Sequence, residues 1–206
     1  MTGASFTEIR RYRTLPEPDM REILRYAGTR TADAATLALA RECISEAEGV
    51  IAPSVCFREI CITTDGEGYE LGFARVCSHT LSRALDGCGR AVLFAATLGI
   101  GADRLIARYS RLAPSRAVML DAVLTERIES LCDHFEREVC EGRESRARFS
   151  VGYGDLPLEL QRDIFRFLTP EKNIGLTLNS SLLMSPSKSV TAIIPIGSFE
   201  YSVETL

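Results

Sequence analysis

The residues best suited to bind a ligand lie in one irregular segment, RFSVGYGDLP, which runs from Arg148 to Pro157. Its two glycines and its proline exclude regular secondary structure, and Gly152 permits a close approach between the backbone and a ligand. Arg148 can bind a carboxylate through two parallel hydrogen bonds, and Tyr153 can stack on a base or on a sulfonium. The alternative is a connecting loop whose tyrosine packs at the edge of the core and whose arginine is solvated, since loops more often connect than bind.

No arrangement of side chains typical of acid–base or nucleophilic catalysis occurs in the sequence. The two histidines, His79 and His134, are far apart, and there is no GxSxG, HExxH or paired-carboxylate motif. The segment TLGIG at residues 97–101 contains a GxG but lacks the remaining residues of a dinucleotide site or a P-loop, so we interpret it as a tight turn from a strand into a helix. We therefore predict no catalytic residue and no metal ligand. The protein either positions a reactive cofactor or is not an enzyme by itself.

A long amphipathic helix is predicted from residue 114 to about residue 140. Its apolar residues recur at intervals of three and four and fall on one face: Ala117, Leu120, Leu124, Ile128, Leu131, Phe135 and Val139. Asp121 lies about 60° from the centre of that face, where a carboxylate is either a salt-bridged rim residue or a ligand contact. Four further carboxylates are expected to face outward and to need only solvation: Glu126, Glu129, Asp133 and Glu136.

The remaining segments predict an α+β fold with a mixed, largely antiparallel, twisted sheet and long packing helices. The continuous apolar run at 90–98 is typical of a strand buried on both faces. Further strands are predicted at residues 54–63, 69–73, 174–178, 190–196 and 201–203. Further helices are predicted at residues 19–26, from Thr31 or Asp33 to 49, and at 78–87, 102–112 and 158–168. Residues 1–14 are expected to form a loose N-terminal arm before a single domain at 15–206.

Composition excludes several classes of protein. Of the 206 residues, 46% are hydrophobic and 25% are charged, so disorder is excluded over most of the length. A formal net charge of -4 argues against nucleic acid or an anionic membrane surface as a main partner. The longest apolar run is too short to cross a bilayer, and no signal peptide is recognisable. The seven cysteines include no CxxC pair, which indicates free thiols in a reducing cytosol and predicts a cytoplasmic protein.

Two motifs follow one another in the C-terminal half of the chain. The first is RFSVGY at residues 148–153, and the second, after a predicted helix and strand, is LMSPSKSV at residues 183–190. In order and spacing they resemble the activation domain of cobalamin-dependent methionine synthase. That family carries an Arg-x-x-x-Gly-Tyr motif at its S-adenosylmethionine site, followed by an apolar-Met-x-Pro-x-x-Ser-Val stretch. The resemblance is clearest over residues 90–197.

The resemblance implies a part in a methyltransferase system. In the family, inactive cob(II)alamin is returned to methylcobalamin by an electron from a flavoprotein and a methyl group from S-adenosylmethionine. The activation domain supplies orientation and excludes water, so it needs no acid or base of its own. By this resemblance Arg148 holds the methionine carboxylate and the Ser150 backbone contacts the adenine or amino group. Gly152 allows close packing, and Tyr153 lines the nucleoside pocket.

The resemblance also implies a separate partner. The chain has no corrinoid-binding Asp-x-His-x-x-Gly motif. It is therefore expected to be a free-standing reactivation component in methionine biosynthesis, which meets a corrinoid-carrying methionine synthase transiently.

The sequence departs from the family at several positions. Thr125 takes the place of a helix carboxylate, with Asp121 and Glu129 one turn to either side as candidate ligand contacts. Ser180 and Ser185 stand where the family often has a glutamate and an aromatic residue. These departures favour a second interpretation, a non-catalytic scaffold module that docks a corrinoid protein without using S-adenosylmethionine. The complete Arg-x-x-x-Gly-Tyr motif favours the first.

Overall fold

The computed structural model describes residues 6–29 and 32–197. Within them the helices are α1 (Met20–Tyr26), α2 (Ala34–Glu48), α3 (His79–Leu85), α4 (Ile100–Tyr109), α5 (Pro114–Val139), α6 (Gln161–Leu168) and α7 (Pro170–Ile174). The strands are β1 (Glu8–Arg11), β2 (Ser54–Cys61), β3 (Thr63–Thr64), β4 (Tyr69–Glu70), β5 (Arg75–Val76), β6 (Arg90–Thr97), β7 (Thr177–Leu178), β8 (Met184–Ser185) and β9 (Ser189–Ile196).

A four-stranded antiparallel sheet in the order β1-β2-β6-β9 lies at the centre of the fold. Strand β6 is central, with Phe94 opposite Phe57 of β2 and Ala192 of β9. All of its residues after Arg90 are buried, as the continuous apolar run predicted. The α+β architecture with an antiparallel sheet is thereby confirmed.

The two faces of this sheet carry two separate cores. Alternate residues of a strand point to opposite faces, so Phe94 contributes to one core and Leu93 to the other. Helices α1, α2, α4 and α5 cover the Phe94 face. Helix α6 and the small sheet β3-β4-β5 lie on the Leu93 face.

Helix α5 is the main support of the Phe94 face and confirms the long amphipathic helix predicted from the sequence. Its apolar stripe is buried from Ala117 to Phe135. The Phe135 ring centroid lies 5.0 Å from that of Phe57 and 5.1 Å from that of Phe94, so the helix packs directly on β2 and β6.

The outward orientation expected for Glu126 is wrong. Its exposed fraction is only 6%, and its carboxylate accepts hydrogen bonds of 2.6 and 2.7 Å from the guanidinium of Arg127, which is itself 1% exposed. The backbone N–H of Asp19 donates to the same carboxylate at 3.1 Å, and Arg127 donates to the carbonyl of Pro16 at 2.7 Å. Helix α1 and the segment before it therefore cover this side of α5. Helical periodicity alone does not reveal such a neighbour.

The N-terminal arm is also corrected by the structure. Residues 8–11 form edge strand β1, in which Glu8 pairs with Phe57 and Arg11 with Ser54. Backbone pairing with β2 orders this polar segment although it has no apolar run. Residues 1–5 of the expected arm lie outside the described residues.

Smaller elements differ from prediction at their bounds. Of the two candidate caps for α2, the side chain of Asp33 accepts from the N–H of Thr36, and Thr31 lies outside the described residues. The strand expected at 174–178 is reduced to β7, because Pro170 begins a short helix that runs to Ile174. The strand expected at 69–73 is reduced to β4 in the small sheet. The strand expected at 201–203 lies outside the described residues.

Candidate functional site

The RFSVGY motif begins at the edge of β9 that faces away from β6. The N–H of Phe149 donates to the carbonyl of Ile193 at 3.0 Å, and the N–H of Ile193 donates back at 2.9 Å. Further along, the N–H of Arg146 donates to the carbonyl of Pro195 at 3.2 Å. This backbone pairing places the start of the motif next to the sheet, so the loop that follows begins at a hydrogen-bonded position on the edge of β9.

Two glycines shape the loop between Phe149 and α6. Gly152 has a φ of 88° and Gly154 a φ of 61°, conformations that residues with a side chain rarely adopt. A Cβ on Gly152 would lie 3.0 Å from Cδ1 of Leu158, and one on Gly154 would lie 2.3 Å from Oγ1 of Thr80. The tight course of the loop therefore depends on both positions, as the sequence predicted for an irregular segment.

Asp155 fastens the loop to the start of α3. Its carboxylate accepts hydrogen bonds from the Ser78 hydroxyl at 2.5 Å, from the His79 N–H at 2.7 Å and from the Thr80 N–H at 3.0 Å. The hydrogen bond from Ser78, with those from Thr80 and His79, holds the pKa of Asp155 well below its ordinary value. The sequence showed Ser78 as a helix cap but gave no sign of Asp155, since its partners lie more than 70 residues away.

Tyr153 projects from the loop with 71% of its surface exposed. Leu158, which lies against Gly152, is 44% exposed. The interpretation in which the tyrosine packs at the edge of the core is therefore wrong. Its ring is free to stack on a flat ligand.

Arg148 is engaged by three carboxylates of α5. Its Nη1 donates to Asp133 at 2.6 Å and to Glu136 at 2.7 Å, and its Nη2 donates to Glu129 at 2.9 Å. The arginine side chain is only 21% exposed. Both the solvated arginine of the connecting-loop interpretation and the merely solvated carboxylates expected on this face of α5 are wrong. The polar face of α5 instead binds the arginine that begins the RFSVGY motif.

We call these four residues the Arg148 cluster: Glu129, Asp133, Glu136 and Arg148. Burial opposes the charge of the guanidinium, but hydrogen bonds to Glu136 and Asp133 outweigh it and raise the pKa of Arg148. Three negative charges around one positive charge leave a formal charge of about -2. Three of the five N–H donors of the arginine are used within the described residues, so its Nε–H and one Nη2–H remain for a ligand.

Asp121 belongs to a different contact on the same helix. Its Oδ1 lies 2.8 Å from Nζ of Lys188, which also donates to Thr125 at 2.8 Å. Asp121 thus matches the salt-bridged rim residue that the sequence allowed. It precedes Glu129 by eight residues, or about 12 Å along the helix axis, so the structure does not bring it into the Arg148 cluster.

A buried glutamine connects the second motif to α6 and β9. Gln161 at the start of α6 is 4% exposed, accepts a hydrogen bond from the Thr191 hydroxyl at 2.8 Å and contacts Sδ of Met184 at 3.5 Å. The neighbouring Ser187 donates to Asp103 from its N–H and its hydroxyl, at 2.9 and 2.6 Å. The second motif is therefore anchored to α6, to β9 and to the first turn of α4.

Two grooves border the Arg148 cluster along α5. One, of about 520 Å³, is lined by Asp133, Glu136, Arg137, Cys140 and Ser145. The other, of about 390 Å³, lies between α1 and α5 and includes Glu17, Glu22, Glu129 and Asp133 in its wall.

The described residues include no group of three His, Cys, Asp or Glu side chains placed to hold a metal ion. No helix in the described part of the chain is long and apolar enough to span a membrane.

Comparison with known proteins shows a similarity in structure and none in sequence. No protein-family model and no curated protein sequence matches this chain. Among solved structures, the chain is similar to the crystal structure of the MetH reactivation domain bound to AdoHcy. The TM-score is 0.59 at 16% sequence identity, and the likeness covers 91% of this chain and 78% of the other. At this identity the likeness shows the fold, and it confirms the fold resemblance expected from the two motifs.

Proposed function

We propose that this protein binds S-adenosylmethionine and serves as a reactivation component for a cobalamin-dependent methionine synthase. The observation that carries the proposal is the shared fold with a reactivation domain that holds AdoHcy. It is supported by the loop of this chain that begins at Arg148, lies against the edge of β9 and presents an exposed Tyr153.

The amino-acid part of the ligand fits the Arg148 cluster in charge. The Nε–H and the remaining Nη2–H of Arg148 can bind a carboxylate while its other donors stay on α5. Glu129 is 42% exposed, so its carboxylate can accept from the ligand ammonium. Asp121, whose side chain is 57% exposed, would contact the ligand from further along α5.

The nucleoside part fits the loop. Ser150 follows Phe149, which is paired to the sheet, so its backbone groups stand at a defined place beside the edge. Gly152 lets the loop turn closely against Leu158, and the exposed Tyr153 ring can cover the adenine or the ribose. These residues bind and orient, and none of them has to give or take a proton.

S-adenosylmethionine supplies an electrophilic methyl group, which would pass to the cobalt of a corrinoid held by the partner while a flavoprotein provides one electron. The proposal assigns the corrinoid to a partner, which presents the methyl acceptor at this loop. Exposed apolar side chains at Tyr153, Leu158 and Leu183 would exclude water from the contact. A transient contact of this kind implies a modest interface and an affinity on the order of micromolar. The proposal includes a cytoplasmic location and a role in methionine biosynthesis.

A second candidate function is a scaffold module that docks a corrinoid protein without S-adenosylmethionine. The specific observation in its favour is that three α5 carboxylates already hold Arg148. In that case the arginine has a structural role that needs no ligand.

Two measurements test the proposal. Calorimetric titration with S-adenosylmethionine should give saturable binding to the purified protein. The protein is then mixed with S-adenosylmethionine, a reductant and a cob(II)alamin-loaded methionine synthase that lacks its own activation domain, and methylcobalamin should form only in the complete mixture. If free cobalamin is methylated equally fast without the partner, the docking model fails. Binding without methylation, or docking without binding, would favour the scaffold function.

A further inference from the structure

The charge around Arg148 has a consequence for which ligand the site prefers. The guanidinium is paired with Glu129, Asp133 and Glu136 at 2.6 to 2.9 Å, so the cluster keeps a formal excess of two negative charges. The groove between α1 and α5 starts at the same side chains and adds Glu17 and Glu22 to its wall against one further cation, Arg137. A ligand that binds at Arg148 therefore enters a negative potential.

We propose that the Arg148 cluster selects the ligand by the charge on its sulfur, favouring the positively charged sulfonium of S-adenosylmethionine over the neutral thioether of S-adenosylhomocysteine. This inference rests on the proposed function, since it concerns the same site. The two molecules share the adenosine, the ammonium and the carboxylate. They differ in the methyl group and in the one positive charge that leaves with it.

The size of the effect follows from Coulomb's law. For a sulfur about 8 Å from the cluster and an effective dielectric constant of about 50 to 80, close to that of water, two excess negative charges favour one added positive charge roughly 5- to 20-fold in affinity. Asp133 and Glu136 contribute to this preference without having to touch the ligand. Because both carboxylates are partly exposed, added salt should screen their charge and weaken the preference for the sulfonium. The Debye length is about 10 Å at 0.1 M ionic strength.

Such a preference would favour product release. After methyl transfer the ligand loses its positive charge, so the same cluster binds the product more weakly than it bound the methyl donor. No catalytic group is needed for this.

The test compares both ligands by calorimetry at low ionic strength. The wild-type protein should bind S-adenosylmethionine roughly 5- to 20-fold more tightly than S-adenosylhomocysteine. Asp133→Asn and Glu136→Gln should each lower this ratio, and the double variant should bring it close to one, mainly by weakening the sulfonium ligand. Glu42→Gln is the matched control, because it removes one negative charge from α2 at a position paired with Arg116, about 20 Å from Glu129 along α5. It should leave the ratio unchanged.

The outcomes separate the inference from the proposed function. Equal affinity for both ligands in the wild type overturns the charge selection and leaves the proposed function standing. A loss of affinity that is equal for both ligands in the Asp133 and Glu136 variants shows a purely structural role and also overturns it. If neither ligand binds, the proposed function fails and the inference with it. The wild-type ratio should fall as salt is raised to about 0.5 M, and a constant ratio overturns the inference even if the variants do not fold.

Discussion

The Ser78 hydroxyl donates a hydrogen bond of 2.5 Å to the carboxylate of Asp155, and this contact connects the candidate binding loop to the first turn of α3. Ser78 also caps α3 through the N–H of Leu81 at 3.0 Å. One serine thus links the helix start and the loop. The position of Tyr153, two residues before Asp155, depends on that link.

The first prediction concerns pH. The lowered pKa of Asp155, caused first by the Ser78 hydroxyl and then by Thr80, means that its ionised form is favoured in the folded protein. Its contribution to stability is complete above the ordinary aspartate pKa of about 3.9 and is lost as the pH falls below that value. The melting temperature of Asp155→Asn should therefore fall less steeply between about pH 5 and pH 3 than that of the wild type. Thermal unfolding followed by circular dichroism at several pH values gives these melting temperatures. Ser78→Ala should also make the melting temperature fall less steeply with decreasing pH. Identical slopes for the wild type and both variants would contradict the role assigned to Asp155.

The second prediction concerns ligand binding by Arg148. Arg148→Ala removes the donors for the ligand carboxylate and should weaken binding of S-adenosylmethionine roughly 10- to 150-fold, which corresponds to about 1.5–3 kcal/mol. Arg166→Ala, at an α6 side chain that is 79% exposed, is the control and should bind as the wild type does. Calorimetry gives the affinities, and circular dichroism checks the fold. Unchanged affinity in a folded Arg148→Ala protein would rule out the carboxylate contact.

The third prediction compares two glycines of similar backbone conformation. Gly154 and Gly142 both have positive φ, at 61° and 71°, so alanine is strained at either position by about 1 kcal/mol. At Gly142 the added methyl group meets no atom within 4 Å, whereas at Gly154 it would lie 2.3 Å from Oγ1 of Thr80. Gly154→Ala should therefore lower the free energy of unfolding clearly more than Gly142→Ala in urea titrations. Equal losses of unfolding free energy would show that the Thr80 side chain moves away from the added methyl group at little cost.

The fourth prediction concerns the buried pair Glu126–Arg127. Glu126→Ala leaves a fully buried guanidinium without its carboxylate and should cost about 3–5 kcal/mol of unfolding free energy. Glu42→Ala, at a side chain that is 63% exposed and paired with Arg116, should change it by less than about 1 kcal/mol. Urea unfolding measures both variants. A small effect at Glu126 would mean that water reaches Arg127.

The fifth prediction concerns the thiols. All seven cysteines are free, and only Cys61 and Cys77 are exposed. Burial raises the pKa of Cys56 to about 12, so such thiols stay protonated and unreactive near neutral pH. A thiol reagent should label two cysteines in the folded protein and all seven after unfolding, and reducing agent should leave the melting temperature unchanged. A loss of several degrees on reduction would indicate a disulfide.

Much of the fold could be predicted from local patterns. The stripe of α5 and the apolar run of β6 are periodic or continuous over many residues, and both elements form where they were expected. Strand β1 could not be predicted in this way, because its residues are polar and its order comes from backbone pairing with β2. Helix α7 was missed because five residues are too few to show a period.

For the candidate site, the sequence by itself determined the residue types, the irregular course of the loop and the order of the two motifs. Only the tertiary structure decided which partners these residues have. Periodicity gives the angle of Glu126 and Glu136 around the helix axis, but the chain that covers each side of α5 comes from distant segments. Segment 16–19 buries Glu126, and Arg148 reaches Glu136 from the edge of β9. Contacts between residues far apart in sequence depend on how the elements pack, so they leave no local pattern to read.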